Sequence, residues 1–251
     1  MATILPKGKL KGISGPIYYR SLNGKEIFQM RPNRSKQRKE NNTNAIMFKQ
    51  TVESLKVLRC NIEAFLGKRH DSKVHQRLTG QVMTLLRKQT KLPIKQTTIF
   101  NTSLIDLIGF DWNINSLFFN TFEGEITTEI LSDTNIRVSV LPFVPVQDVI
   151  FPSECTYATM RLESYQLTDK NIIHNCKQSH KSFDFQKGDT SSITFTFDIE
   201  PLIVGVFTIV VVEIQFFYPI NNNPNQLTLY NSKACNPSKV VYVSNMQIEE
   251  K

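Results

Sequence analysis

The sequence predicts an α+β protein: an N-terminal β-hairpin arm and a basic helical hairpin, followed by an antiparallel β-sandwich. Apolar residues recur every three to four positions between residues 45 and 93, which is typical of amphipathic helices. After Pro93, short apolar stretches alternate with polar residues and are separated by turn-forming residues, which indicates strands. We therefore expect an arm and linker over residues 1–44, helices over 45–95 and an acidic β domain over 96–251.

The N-terminal arm has a strong hairpin pattern. The pair Asn23-Gly24 lies between two β-prone segments, IYYR at residues 17–20 and KEIFQ at residues 25–29. An Asn-Gly pair in this position is the strongest short-range hairpin signal, because both turn residues must adopt a positive φ. We therefore predict a hairpin over about residues 17–30. A lone hairpin is only marginally stable in water, so we expect it to lie on another surface.

A polar linker follows the hairpin. Residues 33–44 contain no apolar side chain, a composition typical of a solvated segment. Such a linker would let the arm reach a neighbouring surface. Its basic residues are Arg34, Lys36, Arg38 and Lys39.

Two amphipathic helices are predicted after the linker. Apolar residues recur with a helical period over residues 48–66, and Gly67 is well placed to end this helix. The same period recurs over residues 74–86, where Asp71 or Ser72 can cap the start. Two such helices joined by a short connector form an antiparallel hairpin.

The C-terminal region has the pattern of an antiparallel β-sandwich. Apolar and polar residues alternate from Ile193 to Ile199, as in a strand with one buried face. From Val206 to Tyr218 nearly every residue is apolar, as expected of a central strand covered on both faces. About seven strands with turn-rich connections favour a sandwich. We expect one short helical turn within residues 104–112, which buries the only tryptophan.

Charge is divided sharply along the chain. The net charge of +8 combines 21 Lys and Arg against 5 Asp and Glu in residues 1–95 with 9 against 17 in residues 96–251. A division of this size indicates that the basic part meets an acidic partner. Three partners are compatible with it: nucleic acid, the acidic part of the same chain, or the acidic part of a neighbouring copy.

The sequence lacks the motifs that would indicate catalysis. It contains no GxxxxGK[ST], GxGxxG, HExxH or GxSxG segment. Gly8, Gly12 and Gly15 do not predict a phosphate loop, because they neither follow a predicted strand nor open a helix. We predict a protein that is not an enzyme, has no cofactor and shows no evident small-molecule substrate.

Targeting and membrane segments are not predicted either. The first dozen residues lack the apolar stretch of a signal peptide. The longest apolar segment, residues 202–212, is about half of the roughly 20 residues that a spanning helix needs. The four cysteines are widely spaced and form no CxxC pair, which argues against a disulfide framework. We expect a soluble, cytoplasmic protein without membrane contact.

One short segment contains residue types that bind metals. His174, Cys176 and His180 lie within seven residues, but a structural zinc site needs a fourth ligand and a rigid frame. We predict a polar loop here and no metal site. His70 and His75 are five residues apart and do not share one helical face well, so they do not predict a metal site either.

Several short motifs follow one another along the chain. They are Gly12, Gly15, Tyr19, Gly24 and Arg31 in the arm, Phe48, Leu58 and Arg59 in the first helix, Arg77, Leu78 and Thr79 in the second, and VEIQFF at residues 212–217. With this pattern the chain resembles a group of basic proteins from Bacteroidota. In that group a glycine-punctuated terminal segment and an Arg-rich segment precede a helix and an all-β half. The resemblance implies this architecture and no activity.

These patterns favour a self-assembling structural protein, either a homo-oligomer or a filament. The basic arm and helices would meet the acidic β domain of the next copy head to tail. The arm would add strands to an exposed sheet edge. The predicted assembly residues of the arm are Gly12, Gly15, Tyr18, Tyr19, Asn23, Gly24, Phe28 and Arg31.

The alternative is a nucleic-acid-binding protein that uses the basic N-terminal region. Its Lys and Arg side chains would neutralise phosphates, and the aromatic residues of the arm would stack on bases. The residues predicted to contact nucleic acid or an acidic partner are Arg34, Lys36, Arg38, Lys39, Arg69, Lys73, Arg77, Arg87 and Lys88.

Overall fold

The computed structural model confirms the α+β class. It describes residues 2–4, 10–14, 16–22, 25–30, 43–67, 69–88, 93, 97–131, 135–168, 176–199, 206–220, 223–231 and 234–245. The chain divides into two compact units, Met1–Asn42 and Thr43–Lys251. Among the described residues, the first unit contains strands and the second contains the helices together with the later strands.

The first unit is a four-stranded antiparallel sheet with the order β1-β2-β3-β4, which we call the arm sheet. Its strands are β1 (Ala2–Ile4), β2 (Leu10–Ser14), β3 (Ile17–Leu22) and β4 (Lys25–Met30). β3 and β4 pair from Ile17↔Met30 to Leu22↔Lys25, which confirms the predicted hairpin. The turn residues Asn23 and Gly24 lie outside the described residues. The sequence did not predict β1 and β2.

The two predicted helices are present and antiparallel. α1 (Thr43–Leu66) ends at Gly67, whose φ of +60° is readily adopted by glycine at a helix end. α2 (Val74–Lys88) starts after Asp71, whose Oδ1 accepts the backbone N–H of Lys73 at 2.8 Å. The Thr51 hydroxyl lies 3.3 Å from the Met83 sulfur, so the first half of α1 meets the second half of α2.

The rest of the second unit contains two antiparallel sheets. The larger has the order β11-β10-β7-β8, and β12 also pairs with β10; the smaller has the order β5-β6-β9. Short helical turns lie at Ile105–Leu107 and Phe118–Asn120, and α3 covers Pro145–Asp148. The strands are β5 (Ile126–Ile130), β6 (Ile136–Phe143), β7 (Tyr157–Thr168), β8 (Cys176–Gln186), β9 (Ile193–Ile199), β10 (Val206–Ile220), β11 (Asn223–Leu229) and β12 (Ser238–Asn245).

The central strand β10 is covered on both faces, as its apolar sequence predicted. Side chains from Phe207, Ile209 and Val211 belong to a core shared with α1, α2 and Trp112. The alternate side chains from Val210 to Phe216 belong to a second core shared with the small sheet. The unit therefore has three layers, helices on the large sheet and the small sheet on its other face. Burial of Trp112 in the first core is also as predicted.

A buried carboxylate interrupts the helix-facing side of β10. Glu213 is 1% exposed, and its oxygens accept Arg69 Nε at 2.6 Å, Arg69 Nη2 at 3.2 Å and Arg161 Nη1 at 3.3 Å. Gln215 Nε2 donates a fourth hydrogen bond at 2.9 Å. Since Arg69 follows α1 and also donates to the Phe65 carbonyl, this cluster joins the helical connector to the sheet. Docking of basic residues on the same chain thus accounts for part of the charge division.

Two strands of the second unit were not predicted. One of them shows that the prediction of a polar loop around Cys176 and His180 was wrong. Residues 176–186 are not a polar loop but strand β8, which pairs with β7 from Leu167↔Cys176 to Tyr157↔Gln186. Its sequence contains no continuous apolar segment that would predict a strand, and Phe185 is the only buried residue among its described side chains. The other, β5, is a five-residue strand at the edge of the small sheet.

Glu213 provides a stability prediction with a matched control. Glu213→Ala leaves two guanidinium groups without their partner, and we expect it to lower the free energy of unfolding by about 3–5 kcal/mol. Arg137 also binds Asp198 through two hydrogen bonds, but this pair is exposed, so Asp198→Ala should cost about 1 kcal/mol or less. Urea unfolding followed by Trp112 fluorescence measures both. Equal losses in the two variants would contradict the assigned role of Glu213.

Asp71 provides a pH prediction. Burial alone would raise the pKa of Asp71, but hydrogen bonds from Arg77 and from the backbone N–H groups of Lys73 and Ile114 hold it below its usual value. A lowered folded pKa gives stability that is complete above the unfolded pKa of about 3.9 and is lost as pH falls through the folded value.

Asp71→Asn keeps a capping side chain and removes the charge. We expect the variant to be less stable than the wild type by about 1–3 kcal/mol at pH 7, with a difference that shrinks below about pH 4. Urea unfolding at a series of pH values measures this difference. A difference that stays constant down to pH 2 would show that the charge of Asp71 contributes nothing.

Candidate functional site

The arm sheet holds four of the predicted assembly residues, and three of them lie side by side on neighbouring strands. Tyr19 pairs with Phe28 in β4 and with Gly12 in β2. The two aromatic rings meet edge to face, with their centroids 5.2 Å apart. Gly12 has a φ of +116°, a conformation that a residue with a side chain rarely adopts. Tyr18 neighbours Tyr19 and therefore points to the opposite face.

Large apolar side chains occupy both faces of the arm sheet and remain accessible. Tyr19 and Phe28 share one face, and Ile13 and Tyr18 share the other. Phe28 is 62% exposed and Met30 is 73% exposed. None of the described side chains between residues 2 and 30 is buried. A single layer of strands cannot cover its own apolar faces, so this sheet has the composition of an interaction surface.

Each unit also presents an edge strand. β4 pairs only with β3 in the arm sheet, and β5 pairs only with β6 in the small sheet, within the described residues. Unpaired edges expose backbone N–H and C=O groups that can pair with another chain. β5 is partly or fully exposed along its length, and Ile130 at its end is 72% exposed.

The two edges lie in regions of opposite charge. Residues 1–42 contain ten Lys and Arg against two Asp and Glu. The surroundings of β5 are acidic, because Glu123 and Glu125 precede the strand, Glu129 lies within it, and all three are exposed. Opposite charge of this kind increases association rates and selects the register of pairing.

The remaining residues predicted in the arm and linker fall outside the described part of the chain. Their roles therefore stay predictions. They are Gly15, Asn23, Gly24, Arg31, Arg34, Lys36, Arg38 and Lys39.

The predicted basic residues of the helices separate into two groups. Arg69 is bound to Glu213, and Arg77 is bound to Asp71 and donates to the Asp111 carbonyl at 2.8 Å. The guanidinium of Arg77 also stacks on the Phe110 ring, 4.8 Å from its centroid. These two side chains stabilise the fold. The exposed group is Lys73, Arg87 and Lys88, of which Lys88 lies 3.5 Å from Asp106.

A groove of about 540 Å³ lies along the exposed side of the helical hairpin. Phe48 and Met83 contribute apolar surface to it, and Arg59 and Arg87 contribute positive charge. Arg59 is held along its own helix, because its guanidinium donates to the carbonyls of Leu55 and Val52 at 3.3 and 3.1 Å. The groove is a further accessible surface of the second unit, formed by residues of α1 and α2.

The metal-binding residue types are arranged differently from the sequence expectation. Of the HxC segment, His180 is exposed on β8 opposite Glu163, the side chain of Cys176 is not described, and His174 lies outside the described residues. In contrast, Glu63, His70 and His75 bring their ligand atoms within 4.8 Å of one another. Sequence reasoning missed this cluster because it compared the two histidines on one helix, whereas His70 lies in the connector.

Within the described residues, no helix combines the length and apolar character required to cross a membrane. No protein-family model matches the sequence. No curated protein matches it either. The resemblance to basic Bacteroidota proteins therefore stays a prediction.

The two groups of basic residues give a stability prediction. Arg77→Ala removes the partner of the buried Asp71 and the contact with Phe110, and we expect a loss of about 2 kcal/mol or more. Arg87→Ala on the same helix should change stability by about 0.5 kcal/mol or less, because Arg87 is exposed. Thermal unfolding of both variants tests the division. Similar losses of stability in the two variants would show that the contacts of Arg77 with Asp71 and Phe110 do not stabilise the fold.

Proposed function

We propose that this protein is a non-enzymatic structural subunit that assembles head to tail. In the proposed contact, edge strand β4 of one copy pairs with edge strand β5 of the next copy. The observation that carries the proposal is the arm sheet, in which large apolar side chains lie on both faces and none of the described side chains is buried.

Charge supports the choice of a second copy as the partner. The arm is strongly basic, and Glu123, Glu125 and Glu129 surround β5. The basic residues Arg69 and Arg77, in contrast, are bound within their own chain, so a nucleic-acid interface that used them would have to break these pairs. This difference favours assembly over the nucleic-acid alternative.

The geometry of the proposed contact has a consequence for the form of the assembly. The arm and β5 are different surfaces, so the contact is heterologous, and each copy has one of each. Such contacts close into a ring when the rotation between copies allows it and otherwise continue as a filament. Added strands would also protect the β4 and β5 edges from other partners.

The test uses the full-length protein after nuclease treatment. At high micromolar concentration we expect the wild type to exceed the 28.9 kDa of one chain in light scattering. Phe28→Ser combined with Met30→Ser should weaken association by about tenfold or more, since burying a side chain of this size contributes about 1.5–3 kcal/mol. Ile130→Ser on β5 should have a similar effect.

Phe119→Ser is the matched control, because Phe119 is 65% exposed and belongs to neither edge. This variant should assemble like the wild type. A mixture of the arm variant with Ile130→Ser provides a sharper test. The arm variant retains a functional β5, and Ile130→Ser retains a functional arm. Only one contact can then form between the two variants, so the mixture should stop at a complex of two chains. A monomeric wild type, or a mass that depends on bound nucleic acid, would disprove the proposal.

A further inference from the structure

We propose that Glu63, His70 and His75 form a binding site for a divalent transition metal, with Zn²⁺ as the best fit. The inference is independent of the proposed assembly. The site lies where α1 ends and α2 begins, and each of the three elements there contributes one side chain: α1, the connector and the first turn of α2.

The distances suit a shared cation. Glu63 Oε1 lies 2.5 Å from His75 Nε2 and 3.8 Å from His70 Nε2. Tetrahedral coordination with bonds of about 2.0–2.2 Å requires ligand atoms roughly 3.3 Å apart. The two observed distances lie on either side of this value. The Glu63 side chain is 45% exposed, so it has room to move by the fraction of an ångström that coordination requires.

The orientation of His70 is fixed in the way that metal ligands require. Its Nδ1 lies 3.0 Å from the backbone oxygen of Asp71. A carbonyl oxygen can only accept a hydrogen bond, so Nδ1 carries a proton, and in the neutral form of the ring Nε2 then presents its lone pair. Nε2 is also the ring nitrogen that faces Glu63. A backbone acceptor behind the ligating histidine is the usual arrangement around protein-bound metals.

The connector that carries His70 is anchored on both sides. Arg69 before it is bound to the buried Glu213. Asp71 after it is itself buried, and its side chain caps α2 and binds Arg77. The connector therefore supplies the rigid frame that a metal site needs. Because it is already ordered, it loses little conformational entropy when a metal binds.

The polar contacts of Glu63 also suit a shared cation. Among the described residues, no Lys or Arg side chain forms an ion pair with Glu63, and its contacts within 4.0 Å are the two imidazoles. His75 Nδ1 is buried and has no hydrogen-bond partner within the described part of the chain, so His75 depends on Glu63 alone for its polar contact. A metal bound between Glu63 and the imidazoles would replace the hydrogen bond at His75 Nε2 by a coordination bond.

The donor set selects the metal. Two imidazole nitrogens and one carboxylate oxygen suit Zn²⁺, Ni²⁺ or Cu²⁺, whereas Mg²⁺ and Ca²⁺ prefer sites made of oxygen only. Three protein ligands leave the fourth position of a tetrahedral zinc for water or another ligand. The inference is restricted to binding, since the described residues around the cluster do not define a substrate.

The experiment titrates untagged full-length protein with ZnCl₂ in a calorimeter, and repeats the titration with MgCl₂. We expect one Zn²⁺ per chain and no heat from Mg²⁺. Glu63→Gln, His70→Ala and His75→Ala should each weaken Zn²⁺ binding by at least about tenfold. Glu63→Gln keeps the shape of the side chain, and circular dichroism verifies that each variant is folded.

Two control variants test other sources of zinc binding. His180→Ala removes an exposed histidine on β8, and Cys60→Ser removes an exposed thiol one helical turn before Glu63. Both should bind Zn²⁺ like the wild type. Absorption spectra of the Co²⁺ complex should show nitrogen and oxygen ligands without a thiolate band. The proposal would be overturned if the wild type does not bind zinc, or if His70→Ala and His75→Ala bind it as tightly as the wild type. Loss of zinc binding in either control variant would also overturn it.

Discussion

The burial of β10 on both faces is the constraint on which the rest of the second unit depends. A strand without a solvent-facing side needs a layer above it and a layer below it, and the helices and the small sheet supply these layers. The strand is not purely apolar, since it carries Glu213 on its helix-facing side. A buried carboxylate must be paired, so the position of Glu213 determines where Arg69 and Arg161 have to lie. One buried charge thereby orients the helical connector on the sheet.

That orientation links the core to the surface sites. Arg69, bound to Glu213, and Asp71, which caps α2, flank His70, so the geometry of the histidine cluster follows from contacts made in the interior. The arm differs in this respect. Its described side chains contribute nothing to a buried core, and its order rests on backbone pairing and on contacts such as Tyr19 with Phe28. The second unit is thus a packed body, whereas the described side chains of the arm sheet remain partly or fully exposed.

Local patterns predicted the elements that depend on local chemistry. The alternating sequence of β9, the apolar sequence of β10, the hairpin of β3 and β4 and the helix ends at Gly67 and Asp71 could each be predicted from a few neighbouring residues. β8 was missed because its exposed Lys, Ser and His side chains resemble a loop, and its pairing with β7 is information held elsewhere in the chain. The site around Glu63 was missed for the same reason, since its ligands come from three elements that only the folded connector brings together. The pairing of distant strands and the meeting of side chains from different elements depend on the whole fold, so a short segment of sequence does not predict them.

The composition of β10 also matters before the protein is folded. Residues 206–220 form a long segment of high β-propensity, the kind that joins with copies of itself when it is exposed in unfolded chains. Its principal partner β7 and both helices precede it in the chain, so during synthesis from the N-terminus a template exists when β10 emerges from the ribosome. Glu213 is the only ionisable residue in the apolar stretch before Tyr218, and its charge opposes stacking of this segment in register with identical chains. We therefore expect the residue that orients the helical connector in the native state also to oppose aggregation of the nascent chain.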